Sequence, residues 1–395
     1  MSKLEQLINE LCPEGVEYIR LKECTEMKRG TSATKKTLSE GQIPVISGGK
    51  EPAFYCDTAN RYGETITIAG SGASAGYVQY WNEPIFVNDA FSIKGSENLN
   101  TRYIYHYLLN IQEKIYDTKK GGGVPHVHIS SIENFLVPTP PLPVQEEIVR
   151  ILDKFTELTA KLTAKLTAEL TARKQQYEYY SESLLNFKEE YDCKKIKLKE
   201  ICDIYLGLTA TPKYTNSGVK FISAQNTSKD FLDLENVKYI SEIDYAKATS
   251  NAKPKRGDIL FTRVGSNLGH PVIIDTDEKL CIFVSLGFLR IKNKNIVSNS
   301  YLKHWINTDL FWSQVRKKVF GAAKVNLNTG WLKEFELTLP PIDIQEKIVN
   351  HLDCFEKYFN LLHDDLSLEI EARQKQYEYY RDKLLTFKKK EATEK

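Results

Sequence analysis

No stretch of this 395-residue chain is apolar and long enough to cross a membrane. Its opening, MSKLEQLINELCPEG, sets Glu5 and Glu10 where a secretion signal needs an unbroken apolar core. A soluble, cytoplasmic protein is expected. The seven cysteines (Cys12, Cys24, Cys56, Cys193, Cys202, Cys281 and Cys354) are odd in number, scattered and without a CxxC pair, which argues against a disulfide framework or a zinc module. Neither sign of charge dominates. Lys and Arg number 54 against 52 Asp and Glu, a net +2, so any nucleic-acid surface has to be a local patch. Catalytic signatures are missing too. Gly70, Gly72 and Ala75 have the spacing of a dinucleotide loop, but the YVQYWNEPIFV that follows is β-rich and broken by Pro84. No helix N-terminus follows to hold a pyrophosphate, so a tight hairpin loop is expected there. SGGK, ending at Lys50, has Glu51 where a Walker loop needs Ser or Thr. His126 and His128 alternate as in a strand, but Asn326 and Asn328 stand at the matching places later on, which argues against a metal pair. There is no Asn-Pro-Pro-aromatic or Asp-Pro-Pro-aromatic run of an amino-methyltransferase, and no Pro-Asp to open a nuclease metal motif. No catalytic residue, metal ligand or cofactor is assigned to this chain.

What is present is a duplication. PPLPVQEEIVRILDKF from Pro140 returns as PPIDIQEKIVNHLDCF from Pro340, and RKQQYEYYSESLLNFK from Arg173 returns as RQKQYEYYRDKLLTFK from Arg373, a constant offset of 200 residues. Each block opens on a proline cluster and then runs free of Pro and Gly past Phe187 or Phe387. Each therefore reads as one uninterrupted helix, about 66 Å long if it spans Gln145 to Lys188. The apolar seam of the second copy steps by three and four through Ile348, Leu352, Phe355, Phe359, Leu362, Leu366 and Ile370, then Tyr377, Tyr380, Leu384 and Phe387. Ile148, Leu152, Phe155, Leu162, Leu166, Leu170, Tyr177, Tyr180, Leu184 and Phe187 match it in the first copy. With the seam slot between Ile370 and Tyr377 taken by Arg373, that is a coiled-coil pattern with a local four-residue stutter. Two such helices in one chain are expected to pack as an antiparallel pair. Inside the first lies LTAKLTAKLTAELTA, from Leu158 to Ala172, where a four-residue unit recurs. It reads either as an ordinary Ala/Leu-rich helix or as an adjustable spacer.

The segments before the helices repeat more faintly. IRLKE at Ile19 matches IKLKE at Ile196, YIYHYLLN at Tyr103 matches YLKHWIN at Tyr301, and GVPHVH at Gly123 matches AKVNLN at Ala323. Short β-type runs bounded by Gly, Asn and Pro, with one amphipathic helix per half around Tyr103–Lys114 and Tyr301–Lys317, make each an α+β domain. Divided along the sequence, the chain becomes a globular region over 1–143, a helix over 144–190, a second globular region over 191–343 and a helix over 344–395. Basic and amide-bearing loops stand at matching places in both halves. Lys and Arg supply phosphate contacts, and Asn, Gln, Arg and His can pair with base edges. The candidates for DNA contact in the first half are Lys28, Arg29, Lys35, Lys50, Ser71, Ser74, Lys119, Lys120 and His126. In the second they are Lys213, Gln225, Asn226, Arg263, Asn267, His270, Lys324 and Asn326. A loop of this kind taken alone reads more readily as solvated surface, and recurrence at equivalent positions brings the DNA reading level with it.

The two PPLP/PPID-Q-E-x-I-V helix starts, the paired RKQQYEYY/RQKQYEYY blocks and the TAKL/TAEL spacer, with divergent heads between them, resemble the specificity subunits of Type I restriction-modification systems. The resemblance covers the whole chain. It implies two target recognition domains, each reading half of a split site in double-stranded DNA, held apart by the helix pair in a pseudo-two-fold arrangement. It also implies that the helices dock two DNA methyltransferase subunits and, where present, restriction subunits, with S-adenosylmethionine, ATP and magnesium on those partners. On this chain the docking residues would be Gln145, Glu146, Arg173, Tyr177 and Tyr180 in the first helix, and Gln345, Glu346, Arg373, Tyr377 and Tyr380 in the second. A self-sufficient DNA-modifying enzyme would need the motifs that are missing. A protein-binding scaffold would need no DNA.

Overall fold

The computed structural model describes residues 2–121, 123–186, 193–265, 267–319 and 326–391. Compactness divides the chain otherwise than linear order does. One unit is Met1–Leu166 with Ser367–Lys395, and the other is Thr167–Leu366. Each unit holds one head, the opening stretch of the long helix that follows that head, and the closing stretch of the other long helix.

The first unit begins with α1 (Lys3–Leu11), closed by a capping box in which the Ser2 hydroxyl accepts from the Glu5 amide and the Glu5 carboxylate accepts from the Ser2 amide. The head continues through β1 (Tyr18–Arg20), α2 (Leu21–Cys24), β2 (Thr25–Arg29), β3 (Ile43–Ile46), β4 (Phe54–Cys56), β5 (Thr65–Ala69), β6 (Val78–Trp81), β7 (Phe86–Val87) and β8 (Ala90–Gly95). It ends in α3 (Thr101–Asn110), α4 (Gln112–Tyr116), α5 (Ile129–Ile132) and β9 (Leu136–Pro138), and then the long α6 (Leu142–Leu185) begins. Strands β2-β8-β5-β6 form an antiparallel sheet, β4-β3-β7 form a second sheet in which β3 and β7 run parallel, and β1 pairs with β9. All five residues of β5, TITIA, are buried, as expected of an apolar, β-branched strand covered on both faces.

The second head repeats this plan with β10 (Lys194–Lys197), α7 (Leu198–Ile201), β11 (Cys202–Leu206), β12 (Tyr214–Thr215), β13 (Val219–Ile222), β14 (Lys238–Ile240) and α8 (Glu242–Ala248). Then come β15 (Ile259–Thr262), β16 (Pro271–Ile273), β17 (Leu280–Ile282), β18 (Leu286–Ile291), α9 (Asn299–Ile306), α10 (Asp309–Val319), α11 (Thr329–Lys333), β19 (Glu336–Leu339) and the long α12 (Ile342–Leu385). Sheet β11-β18-β15-β16 matches β2-β8-β5-β6, the parallel pair β13 and β17 matches β3 and β7, and β10 with β19 matches β1 with β9. β12, a 3-10 turn over Ala224–Thr227 and α8 are additions of this head. The single amphipathic helix expected in each half is two helices. Its first stretch stops at Asn110 or Ile306, and a second helix resumes at Gln112 or Asp309.

Each long helix has 44 residues, the same length as expected, but begins and ends three residues earlier. Pro143 lies in the first turn of α6, where an amide proton has no intrahelical partner to lose. The antiparallel pairing holds inside each unit. In the first, Phe155 stacks on Tyr380 at 5.6 Å and the Thr156 hydroxyl reaches Tyr377 Oη at 3.3 Å. In the second, Tyr180 stacks on Phe355 at 5.7 Å and Tyr177 on Phe359 at 6.2 Å. The deepest helix-end contacts lie one residue beyond the expected seam: Leu185 and Leu385 are buried, while Leu184 and Leu384 are half-buried. Phe187 lies outside the described residues. The first core joins Ile66, Ile93, Tyr103 and Ile104 of the head to Val144, Ile148 and Leu152 of α6 and Leu385 of α12. The second joins Phe261, Leu289 and Tyr301 to Ile348 and Leu352 of α12 and Leu185 of α6.

Gln145 and Gln345, expected to face partner subunits, are instead fully buried. Gln145 Nε2 donates to the Asn98 and Pro140 carbonyls at 3.1 and 2.7 Å, and its Oε1 accepts from the Asn100 amide at 2.8 Å. Gln345 bonds Ile296, Pro340 and Ser298 in the same way, at 2.8, 2.8 and 3.0 Å. Buried backbone groups need partners, and one amide side chain supplies three of them. Next to these joints His106 meets Asp153 at 2.8 Å, and His304 meets Asp353 at 2.7 Å. Burial pushes the His106 imidazole below its ordinary value, against the pull of Asp153.

Candidate nucleic-acid interface

In the first head, four segments converge on an open cleft of about 590 Å³: the end of β2 at Arg29, the β5–β6 loop at Gly70, Asn88 and Asp89 before β8, and 126–130 running into α5. Backbone hydrogen bonds lock them together. Gly70 N donates to Asp89 O at 3.1 Å, Val127 N to Gly70 O at 3.0 Å and Gly72 N to Pro125 O at 3.0 Å, while Lys120 and His126 exchange amide bonds at 2.9 and 2.8 Å. Gly70, Gly72 and Ala75 thus lie in a hairpin loop, as expected, with Gly72 at φ +82°. Gly48 presses the neighbouring loop against this one, since a Cβ there would stand 2.3 Å from the Ser71 carbonyl oxygen.

The sequence candidates divide around this cleft. Arg29 and His126 line it, the His126 ring lying parallel to His128 with centroids 6.0 Å apart. Ser71 donates to the Asp89 carboxylate, and Lys120 adjoins through its pairing with His126. Lys28 turns aside to pair with Glu26 at 2.5 Å. Lys50 lies over the Tyr77 ring at 5.1 Å and Lys119 over Tyr116 at 4.0 Å, so part of their charge is already engaged. Lys35 is exposed on the β2–β3 loop, and Ser74 sits in the turn where its carbonyl accepts from Tyr77 N at 2.9 Å.

The second head places the β15–β16 loop in the same frame. Arg263 N donates to Ser285 O at 2.8 Å, and Leu327 N to Arg263 O at 3.2 Å, the counterparts of the Gly70 bonds to Asp89 and Val127. The side chain of Arg263 is not available to DNA. It is buried, its Nε donates to Leu327 O at 3.3 Å and its Nη1 to Val284 O at 3.1 Å, and burial lowers its pKa. Asn226 is likewise internal, accepting from Ser223 N at 3.0 Å and donating to Asp233 O at 3.2 Å. Both satisfy loop backbone that would otherwise be stranded. His270 reaches Lys229 O at 2.9 Å, drawing the 225–230 and 263–270 loops together. Gly269, at φ +76°, lies so close to Trp312 that a Cβ would stand 2.4 Å from the indole. Gln225, Asn326 and Lys213 are exposed, Asn267 is half-buried, and Lys324 lies outside the described residues.

Sequence reading missed Asp89 and Asn88, because a search for basic loops passes over acceptors; His128, read with His126 as a polar loop or DNA-facing donor, lines the cleft. Asn88 clamps the β2–β3 loop through both bonds to the Ala33 backbone, at 2.9 and 3.1 Å. It also missed a cluster at the second head–helix joint, where His304, Asp353 and Glu356 bring ligand atoms within 4.8 Å of one another. The Lys303 ammonium, 3.0 Å from Glu356, supplies the positive charge there.

On the helices, Glu146, Glu346, Arg173 and Arg373 are exposed, and Tyr177 and Tyr377 are half-buried in the pairing seam. In the second unit Arg173, Tyr177, Tyr180, Phe355, Tyr358 and Phe359 border an apolar groove of about 450 Å³. Tyr380 is the matching exposed ring in the first unit. Glu147, unnoticed in the sequence, is buried, and hydrogen bonds from Arg150 first, then Lys3, hold its carboxyl at about 2.

The Type I restriction modification DNA specificity domain matches this chain twice, over residues 13–172 and 190–372. A Haemophilus influenzae protein named as a type I restriction enzyme specificity subunit is 34% identical over 88% of this chain and 89% of its own length. The specificity subunit of an Escherichia coli type I restriction enzyme is 29% identical over 99% of this chain and 98% of its own. Among solved structures, a chain from work on complex assembly and conformational transition of the type I R-M system shares the fold with a TM-score of 0.72 at 16% identity, covering 94% of this chain and 97% of that one. With two copies of the domain spanning most of its length and a sheet plan that repeats head for head, the chain belongs to the specificity subunits of Type I restriction-modification systems.

Proposed function

We propose that each head reads one half of a bipartite, asymmetric site in double-stranded DNA, and that the helix pair sets the distance between the halves and docks the methyltransferase and restriction subunits. One observation carries this reading: the two heads hold the same loop in the same backbone frame but surround it differently, with Asp89 and His126 in one against Ser285 and Asn326 in the other. A common scaffold with different chemistry at its rim suits two different half-sites, and a chain with two similar heads stands in for a dimeric reader. Arg29, Lys120 and His126, with Gln225, Asn326 and Lys213, are the contacts we favour. Lys28, Lys35, Lys50, Lys119, Ser74, Asn267 and His270 belong to the rim, and Ser71 acts through Asp89. Glu146, Glu346, Arg173, Arg373 and the exposed tyrosines of the helices face the partners. The chain carries no catalysis of its own and works in the cytoplasm. S-adenosylmethionine, ATP and magnesium reside on the other subunits.

The test uses the spacer. Deleting Thr159–Leu162 shortens α6 by about 6 Å, the rise of four helical residues, or between one and two base pairs at about 3.4 Å each. Sequencing methylated sites from cells carrying this variant with its methyltransferase partner should show unchanged half-sites and a shorter gap. Exchanging residues 192–340 for another head should alter one half-site only. Altered half-sites in the deletion variant would overturn the assignment of the helices to spacing.

A further inference from the structure

The cleft of the first head contains an acceptor that a surface built only to hold phosphates would avoid. Asp89 is exposed into the cleft beside Arg29, His126 and His128, yet no ion pair joins it to any of them among the described residues. Ser71 Oγ donates to Asp89 Oδ2 and fixes the plane of the carboxylate. The other oxygen, Oδ1, accepts no hydrogen bond among the described residues. Gly70 leaves it uncovered, since a Cβ there would stand 3.1 Å from Oδ1. A carboxylate held in place, with a free oxygen and no paired cation, repels a phosphate backbone and is repaid only by a donor. In a DNA groove the donors are the exocyclic amines of the bases. Adenine sets its N7 acceptor beside its N6 amine and so opposes a second carboxylate oxygen, whereas cytosine presents N4 alone.

Resting on the reading of the heads as DNA readers, the geometry points to Asp89 as a specificity-determining residue that accepts a hydrogen bond from cytosine N4 in the half-site read by the first head. Ser71 is its positioning residue. In the second head the matching backbone position is Ser285, which has no carboxylate and whose hydroxyl accepts from Ala224 N at 3.2 Å, so that head reads its half-site by other means.

The experiment sequences methylated sites in cells carrying the full chain and its methyltransferase partner, as wild type, D89A, D89N and S71A, with thermal unfolding of each purified chain as the measure of folding. D89A should lose roughly tenfold in discrimination at one C·G pair of one half-site, with the other half-site intact. D89N should move that position toward adenine, because an amide can bond N6 and N7 together. S71A should keep the cytosine preference with weaker discrimination. The proposal is overturned if D89A and D89N keep the wild-type site at full methylation, if the affected pair is A·T in the wild type, or if methylation falls evenly with no change in base preference. It is overturned also if both variants fail to fold, which would assign Asp89 to the scaffold. A wild-type chain that directs methylation to no fixed sequence would instead overturn the DNA-reading function itself.

Discussion

Gln145 and Gln345 each sit where a head meets its helix and each close three backbone groups that water cannot reach. Replacing either with Ala leaves two carbonyls and an amide unmatched in the interior, at a cost of about 1–3 kcal/mol in stability. Thermal unfolding of Gln145→Ala should show that loss, while the methylated sequence stays as in the wild type. A changed sequence with unchanged stability would return these residues to the binding surface. The repeat announced that both glutamines matter and could not say which way they point. Repetition preserves an internal joint and an external docking patch alike, and only the carbonyls of Pro140 and Pro340 within reach tell them apart. The same blindness hid Asp89 and misplaced Arg263. A side chain of the right chemistry on a loop is a reader or a brace according to whether the neighbouring backbone is already satisfied.

At the scale of elements, the long helices were the most legible part of the chain. Two proline clusters and a long apolar seam gave both helices and their common length, because a seam with steps of three and four leaves no other regular solution. The heads were legible as strand-rich but not in their pairing. Parallel contacts such as β3 with β7 join segments about 40 residues apart in sequence, and nothing local encodes them. The breaks that split the amphipathic helices at Ile111 and Asn307 also lack a proline or glycine to mark them. Where the helices leave the heads, aromatic stacks replace aliphatic packing. Phe355 is 42% exposed while stacked almost parallel to Tyr180. Phe355→Ala should therefore cost about 1–2 kcal/mol, less than a fully buried phenylalanine. Phe155→Ala, acting on the Tyr380 stack, should cost a similar amount. Chemical denaturation of the two variants checks both. A loss above about 4 kcal/mol would mean that the stacks, rather than the head cores, hold the helices together.

At the scale of the whole molecule, the first unit is assembled from both ends of the chain. Val16 lies between the Lys388 carbonyl and the Lys390 amide, each at 2.9 Å, the Tyr18 hydroxyl donates to Phe387 O at 2.9 Å, and Leu385 completes the head's core. The second unit is one continuous stretch, Thr167–Leu366. A chain cut after Leu366 should therefore keep a cooperative second unit and leave the first open, with Ile148 and Leu152 exposed to solvent. Limited proteolysis of that truncated chain should degrade the head at 1–141 ahead of the head at 193–341. Equal resistance of the two would show that the closing stretch of α12 contributes little.

The bridge between Val16 and Lys389 also bears on how the protein is made. Synthesis delivers the first head early, but its last structural pieces leave the ribosome only after the whole second head has been made. The later-synthesised half can finish folding first, and the first half waits with an unfilled apolar face until residues 377–390 arrive. During that interval the nascent chain needs the same protection that a chaperone gives an unfinished domain.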